Sequence, residues 1–225
     1  MVTTPMNEAD HAKVSAAIAA AESGTDGEVI AIITERSDSY HDVGLHYAVA
    51  LLFLVLASFA AWPGLLEGWW VRLMGWTAPP VLQDHLLLLL GLGLLSFLIT
   101  LFVMRYMPLR LALTPGKTKT RRVRRRAVML FKAAAERRTV GRTGVLIYLS
   151  MGEHRAEIIG DDAITAVTTP ETWGEAMVAL LTDVKAGRAA DGIAAAVALI
   201  GAVLAEHFPK DGADTNEIPD KLIEL

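Results

Sequence analysis

Residues 45–62 and 86–104 constrain this chain more than any other feature, because each is a long apolar block without a single Asp, Glu, Lys or Arg. At about 1.5 Å of rise per helical residue, each is long enough to cross the roughly 30 Å of hydrocarbon in a bilayer. The second block contains 14 Leu, Ile, Phe or Val residues. At about −0.3 to −0.6 kcal/mol apiece near a helix centre, these favour insertion by about 6 kcal/mol. A soluble domain has little use for two such segments, and their surplus explains why apolar residues reach 53% and mean hydropathy reaches +0.39. The expectation is a transmembrane helical hairpin over 45–107. The linker carries Trp69, Trp70 and Trp76 with Pro63, Pro79 and Pro80, an aromatic, helix-breaking composition suited to a turn at the bilayer surface.

Charge sets the expected orientation. Arg72 is the one basic residue of the linker, whereas Arg105, Arg110 and the run Lys117, Lys119, Arg121, Arg122, Arg124, Arg125 and Arg126 follow the second block closely. Positive residues stay on the cytoplasmic side, so both termini are expected there, with the chain multi-pass in a bacterial inner membrane. The first residues show no basic start followed by a short apolar stretch, so no cleavable signal is read from them. The chain contains no Cys, which removes disulfides, thiolate metal sites and cysteine nucleophiles.

Outside the hairpin the pattern alternates between helix and strand. Val14, Ala17, Ile18 and Ala21 form one stripe of a helix over residues 8–21, and 28–35 is a β-branched apolar run of buried-strand length. Val123, Ala127, Leu130, Phe131 and Ala134 make an apolar stripe on a basic helix over 120–138. Residues 144–150 read as a second buried strand, 151–154 as a tight connection and 155–159 as an alternating partner strand. Thr169 and Pro170 open a helix running to Lys185 that Gly187 ends. A last helix covers about 190–207, and 210–225 reads as a polar tail.

The phrase Ala21-Glu22-Ser23-Gly24-Thr25-Asp26-Gly27-Glu28-Val29, the sequence Arg142-Thr143-Gly144-Val145-Leu146, and the order helix, strand, basic helix, strand, strand, helix, helix together resemble the TPM domain family. The likeness covers residues 8–42 and 121–208, with the hairpin inserted in the crossover. It implies an α/β fold, a small mixed-sheet sandwich of the TPM type, with its domain divided between 1–44 and 108–209. It also implies either an assembly or maintenance role at a membrane or a metal-assisted phosphatase activity. Many members carry Asp-Asn-Gly where this chain has Arg142-Thr143-Gly144, and that exchange of acid for base weighs against carboxylate chemistry there.

Candidate sites are few. Asp161 and Asp162 follow the third strand and offer oxygen ligands to Ca²⁺ or Mg²⁺, or else a helix cap and a solvated turn. Asp38, His41, Asp42 and His46 are the right types for Zn²⁺ or Mn²⁺, but their spacing matches no tight ligand pattern. Asp211 to Asp214 resembles a fragment of a Ca²⁺ loop without its later ligands. No nucleophile elbow, zinc-protease helix or Walker loop occurs, so no catalytic residue is assigned. Arg121, Arg122, Arg124, Arg125 and Arg126 are expected to meet lipid headgroups rather than nucleic acid, because they lie just inside the membrane. The reading that results is a membrane-tethered interaction module with lipids and a membrane protein as partners, the alternative being the phosphatase.

Overall fold

The computed structural model describes residues 6–75, 80–135, 143–210 and 221–225. It divides into two compact units, one made of Met1–Asp38 with Gly116–Leu225 and the other of Ser39–Pro115.

The first unit is a mixed α/β domain built on a four-stranded sheet in the order β3-β2-β1-β4. Strand β1 (Glu28–Thr34) pairs in parallel with β2 (Gly144–Ser150), Glu28 opposite Gly144 and Thr34 opposite Ser150. The expected pairing across the crossover is therefore present. Strand β3 (Arg155–Gly160) returns antiparallel to β2 through the turn at 151–154. Every residue of β1 and β2 is buried. Strands covered on both faces read as unbroken apolar runs, and the two cores explain these. Val29, Ala31, Ile33, Val145, Ile147 and Leu149 point to one side, and Ile30, Ile32, Leu146 and Tyr148 to the other.

Helices α1 (Glu8–Glu22), α8 (Gly174–Lys185) and α9 (Ala189–His207) cover the first face, with Val14, Ile18, Leu180, Ile193, Val197 and Ile200 at its centre. Asn7 starts α1: its side chain accepts from the Asp10 N–H at 2.8 Å, while its own N–H donates to the Asp10 carboxylate at 3.2 Å. A Cβ at Gly192 would lie 2.6 Å from the Leu180 carbonyl oxygen, so α8 and α9 touch through a position that admits no side chain. Pro170–Trp173 forms a 3₁₀ turn ahead of α8, which begins later than Thr169 and Pro170 led us to expect.

Helix α6 (Gly116–Ala135) covers the second face with Val123, Ala127 and Phe131. It starts four residues before the expected Thr120, and Glu136 to Arg142 lie outside the described residues. Part of the segment read as a polar tail is sheet instead. Ile223–Glu224 forms β4 alongside β1, and Leu222 is buried. The tail residues 211–220, Asp211 and Asp214 among them, lie outside the described residues.

The second unit is helical: α2 (His41–Ala61), α3 (Pro63–Met74), α4 (Leu82–Val103) and α5 (Met107–Leu113). A Cβ at Gly93 would sit 3.0 Å from Leu52 Cδ1, and one at Gly44 would sit 3.1 Å from Met104 Cβ. The start of α2 thus meets the end of α4, so the two run antiparallel and approach closely through small residues. Among the described residues, three helices are apolar enough, by length and composition, to cross a membrane: α2, α4 and α9. The linker is not simply a turn, since α3 occupies most of it. Pro63, read as a breaker, stands in the first turn, where a missing N–H costs nothing and a fixed φ favours the helix. Trp76 and Pro79 lie outside the described residues.

Candidate functional site

Helix α6 concentrates the charge of the first unit, and its 3.6-residue period distributes that charge unequally. With Val123, Ala127 and Phe131 turned to the sheet, Arg122 and Arg126 are half-buried, while Lys117, Arg121, Arg125 and Lys132 are exposed. Arg122 Nη1 donates to Asp38 Oδ2 at 2.8 Å, and its side chain is only 17% exposed. Arg124 reaches Glu157 on β3 at 3.5 Å. Among the described residues, Arg121 and Arg125 are exposed and neither forms an ion pair. The five arginines are therefore not one patch: two are tied to acids of their own domain, one is half-buried, and two face outward.

Beside Arg122 the carboxyl ends of β1 and β2 hold a buried polar network. Glu153, in the β2–β3 turn and 2% exposed, accepts the Ser37 N–H at 2.8 Å and the Ser150 hydroxyl. Ser37 Oγ lies 3.0 Å from the phenol oxygen of the fully buried Tyr148. Burial pushes the Tyr148 phenol above its ordinary value; the Ser37 hydroxyl pulls it back, Glu153 adds to the rise, and Arg126 opposes it. Glu157 is likewise raised by burial, with Arg124 opposing. The network ties the segment after β1 to the turn after β2, and its groups satisfy one another.

The metal candidates are placed as follows. Asp161 is the N-cap of α7 (Asp162–Val167), its carboxylate accepting the Asp162 N–H at 2.8 Å, and Asp162 follows at the first helical position. Asp38 belongs to the first unit, with Arg122. His41 and His46 lie in α2, where His41 Nδ1 is 3.3 Å from Arg110 Nη1 and His46 Nδ1 is 2.5 Å from the Asp42 carbonyl oxygen. Among the described residues no group of three or more His, Asp or Glu is arranged to hold a metal ion.

Sequence reasoning passed over Arg110, the best-held charge of the second unit. It is 5% exposed, and its guanidinium donates to the Met104 carbonyl through Nε at 2.8 Å and Nη2 at 2.5 Å, and to the Ser39 carbonyl through Nη1 at 2.5 Å. A cation suits the Met104 carbonyl, at the negative end of α4. The signal was a lone Arg in the otherwise apolar string Met107-Pro-Leu-Arg-Leu-Ala-Leu113. Glu153 left no comparable trace, since an acid in a four-residue turn is ordinary.

Residues 113–203 match the family model of the TPM domain. Among solved structures, the chain resembles the BA42 protein from the psychrophilic bacterium Bizionia argentinensis. The two are 16% identical, the match covers 100% of this chain and 99% of that one, and the TM-score is 0.57, a likeness of fold. No curated protein matches.

Proposed function

We propose that the chain, whose residues 113–203 match the family model of the TPM domain, is a membrane-tethered interaction module. It holds a membrane protein complex together at the cytoplasmic face of the inner membrane. The observation that carries this reading is the bare apolar surface of α2 and α4, inserted between two strands of one sheet. Leu54, Leu90 and Phe102 are 61%, 66% and 72% exposed. Surface of this kind belongs in hydrocarbon, and a domain whose strands flank it is fixed to the membrane at two points of its chain.

The α6 ridge supports the cytoplasmic side. Lys117, Arg121 and Arg125 are spaced i, i+4, i+8, and like charges at that spacing cost a helix about 0.2–0.5 kcal/mol per pair. An anionic leaflet returns about 1 kcal/mol per basic residue near its surface. In this reading Arg121 and Arg125 meet lipid headgroups, while Arg122 and Arg124 serve the domain's own packing.

Purification from native membranes in mild detergent tests the proposal. The expected result is stoichiometric co-elution with a membrane protein, stable to washing at 0.5 M salt. A solitary chain that hydrolyses a phosphate monoester in Ca²⁺ or Mg²⁺ would overturn it in favour of the phosphatase.

A further inference from the structure

Helix α3 has 12 residues, none of them buried. At 1.5 Å per residue it spans about 18 Å, too little to cross a bilayer. Its sequence is nevertheless sided. At about 100° per residue, Leu65, Leu66, Trp69, Trp70 and Leu73 fall on one side and Gly64, Glu67, Gly68, Val71 and Arg72 on the other, with Met74 at the boundary. Leu66 and Trp70 are half-buried, leaving a ridge of Trp62, Leu65, Trp69 and Leu73 that is 64%, 48%, 41% and 57% exposed. Such a ridge needs an occupant, and the composition names one. Tryptophan concentrates at the level of lipid headgroups, where its ring is in an apolar layer and its N–H is wet.

Resting on the reading that α2 and α4 cross the membrane, we propose that α3 is an interfacial helix. It lies in the plane of the outer leaflet with the Trp62, Leu65, Trp69 and Leu73 ridge in the headgroup–acyl boundary and with Glu67 and Arg72 toward water. Two features fix its place. Trp62 ends α2 and Pro63 begins α3, so no linker separates the helix from the end of a span. Helices α2 and α4 already have 21 and 22 residues, enough to cross unaided, so α3 is free to stay at the surface. Its polar side carries one acid and one base, so it is held by apolar contact and not by lipid charge, in contrast to the α6 ridge.

The chain has no Cys, so each cysteine substitution gives a single site for a nitroxide label. Depth is read from relaxation by oxygen, which partitions into hydrocarbon, against a neutral nickel chelate that stays in water. The full chain is reconstituted in phosphatidylcholine vesicles as L65C, L73C, E67C and L98C. The expected order of depth is E67C, then L65C and L73C about 5–10 Å below the headgroups, then L98C deepest, with the oxygen-to-nickel ratio rising severalfold at each step. Replacing a third of the lipid by phosphatidylglycerol leaves the order unchanged. Equal nickel access at L65C and E67C places α3 in water and overturns the proposal. So does a depth at L65C equal to that of L98C, or a label at L65C immobile and reached by neither reagent, which marks a protein contact. If L98C itself is nickel-accessible, the spanning reading fails and takes the proposal with it, a result distinct from failure at α3 alone.

Discussion

Helices α4 and α9 are 22 and 19 residues long, and both are apolar enough to cross a membrane, with mean hydropathy 2.8 and 1.8. Their surroundings differ: 11% of the apolar stretch of α4 is buried and 44% of that of α9. The difference lies in what each helix is offered. α9 lies against α1, α8 and β1, and its glycines are placed for those neighbours, Gly192 against the Leu180 carbonyl and Gly201 against Ala21. In α4, Gly93 meets Leu52, but Gly91 has nothing within 4 Å. Hydropathy alone does not separate a helix packed into a core from one left exposed; what its neighbours cover does.

The sharpest way to break that contrast is to shorten one large side chain in each helix. Ile200 of α9 is fully buried, so I200A should cost the first unit about 2–5 kcal/mol. L94A in α4, at 55% exposure, should stay within about 0.5 kcal/mol. Urea unfolding in detergent, followed by hydrogen exchange in β1 and β2, checks both, and equal losses would mean that α4 is packed like a core helix. A charge probes the other side: L94R should raise the cost of inserting α4 by about 3 kcal/mol and reduce the carbonate-resistant membrane fraction. Full retention would argue against a lipid-facing Leu94. The glycines give a smaller contrast. G192A should destabilise by about 1–3 kcal/mol because its Cβ meets backbone, while G91A, in open space, should be neutral or add up to about 1 kcal/mol of helix propensity.

Within α6 the same question is asked of charges. R122Q should loosen the Ser37–Asp38 segment and lower stability by about 1 kcal/mol, whereas R121Q should leave stability unchanged and weaken contact with anionic vesicles. Matching thermal shifts for the two would undo the division of the helix into inner and outer arginines.

The smallest effect concerns Glu157. Burial holds its folded pKa above the ordinary 4.5, against the pull of Arg124. A carboxyl raised in this way contributes stability that is complete below the unfolded value and is lost as pH rises through the folded one. E157Q removes that dependence, so its stability relative to the parent should be higher at pH 7 than at pH 4, by less than about 1 kcal/mol. Parallel stability curves for the two proteins would show that Glu157 carries no such cost.

Strands β1 and β2 were legible because burial on both faces leaves an unbroken β-branched run, a local pattern with a local cause. The boundaries of α9 were legible from its own residues too. Strand β4 was not, since two residues, Ile223 and Glu224, have no period and become a strand only because an edge of β1 is open to them. Helix α3 was missed because Pro63 was read as a stop where its position makes it a start. For the arginines of α6, sequence showed the charge and the apolar stripe. It did not show that Asp38, 84 positions from Arg122, occupies one of them. Asp161 offered the same residue for a ligand or a cap, and the structure adds the cap, its carboxylate accepting the Asp162 N–H.

The register of β1 against β2 has a consequence for biosynthesis. Glu28 pairs with Gly144, 116 positions later (144 − 28), and the other neighbour of β1 is at Ile223. At about 5–20 residues per second, a ribosome takes roughly 6–23 s to deliver β2 after β1 has been made. Throughout that interval an apolar strand waits with both edges open, the condition that favours pairing with the wrong chain. Under the proposed topology, the segment translated in the meantime is the hairpin. Its insertion would anchor each nascent chain at its own site in the bilayer and keep waiting β1 strands apart until their partners emerge.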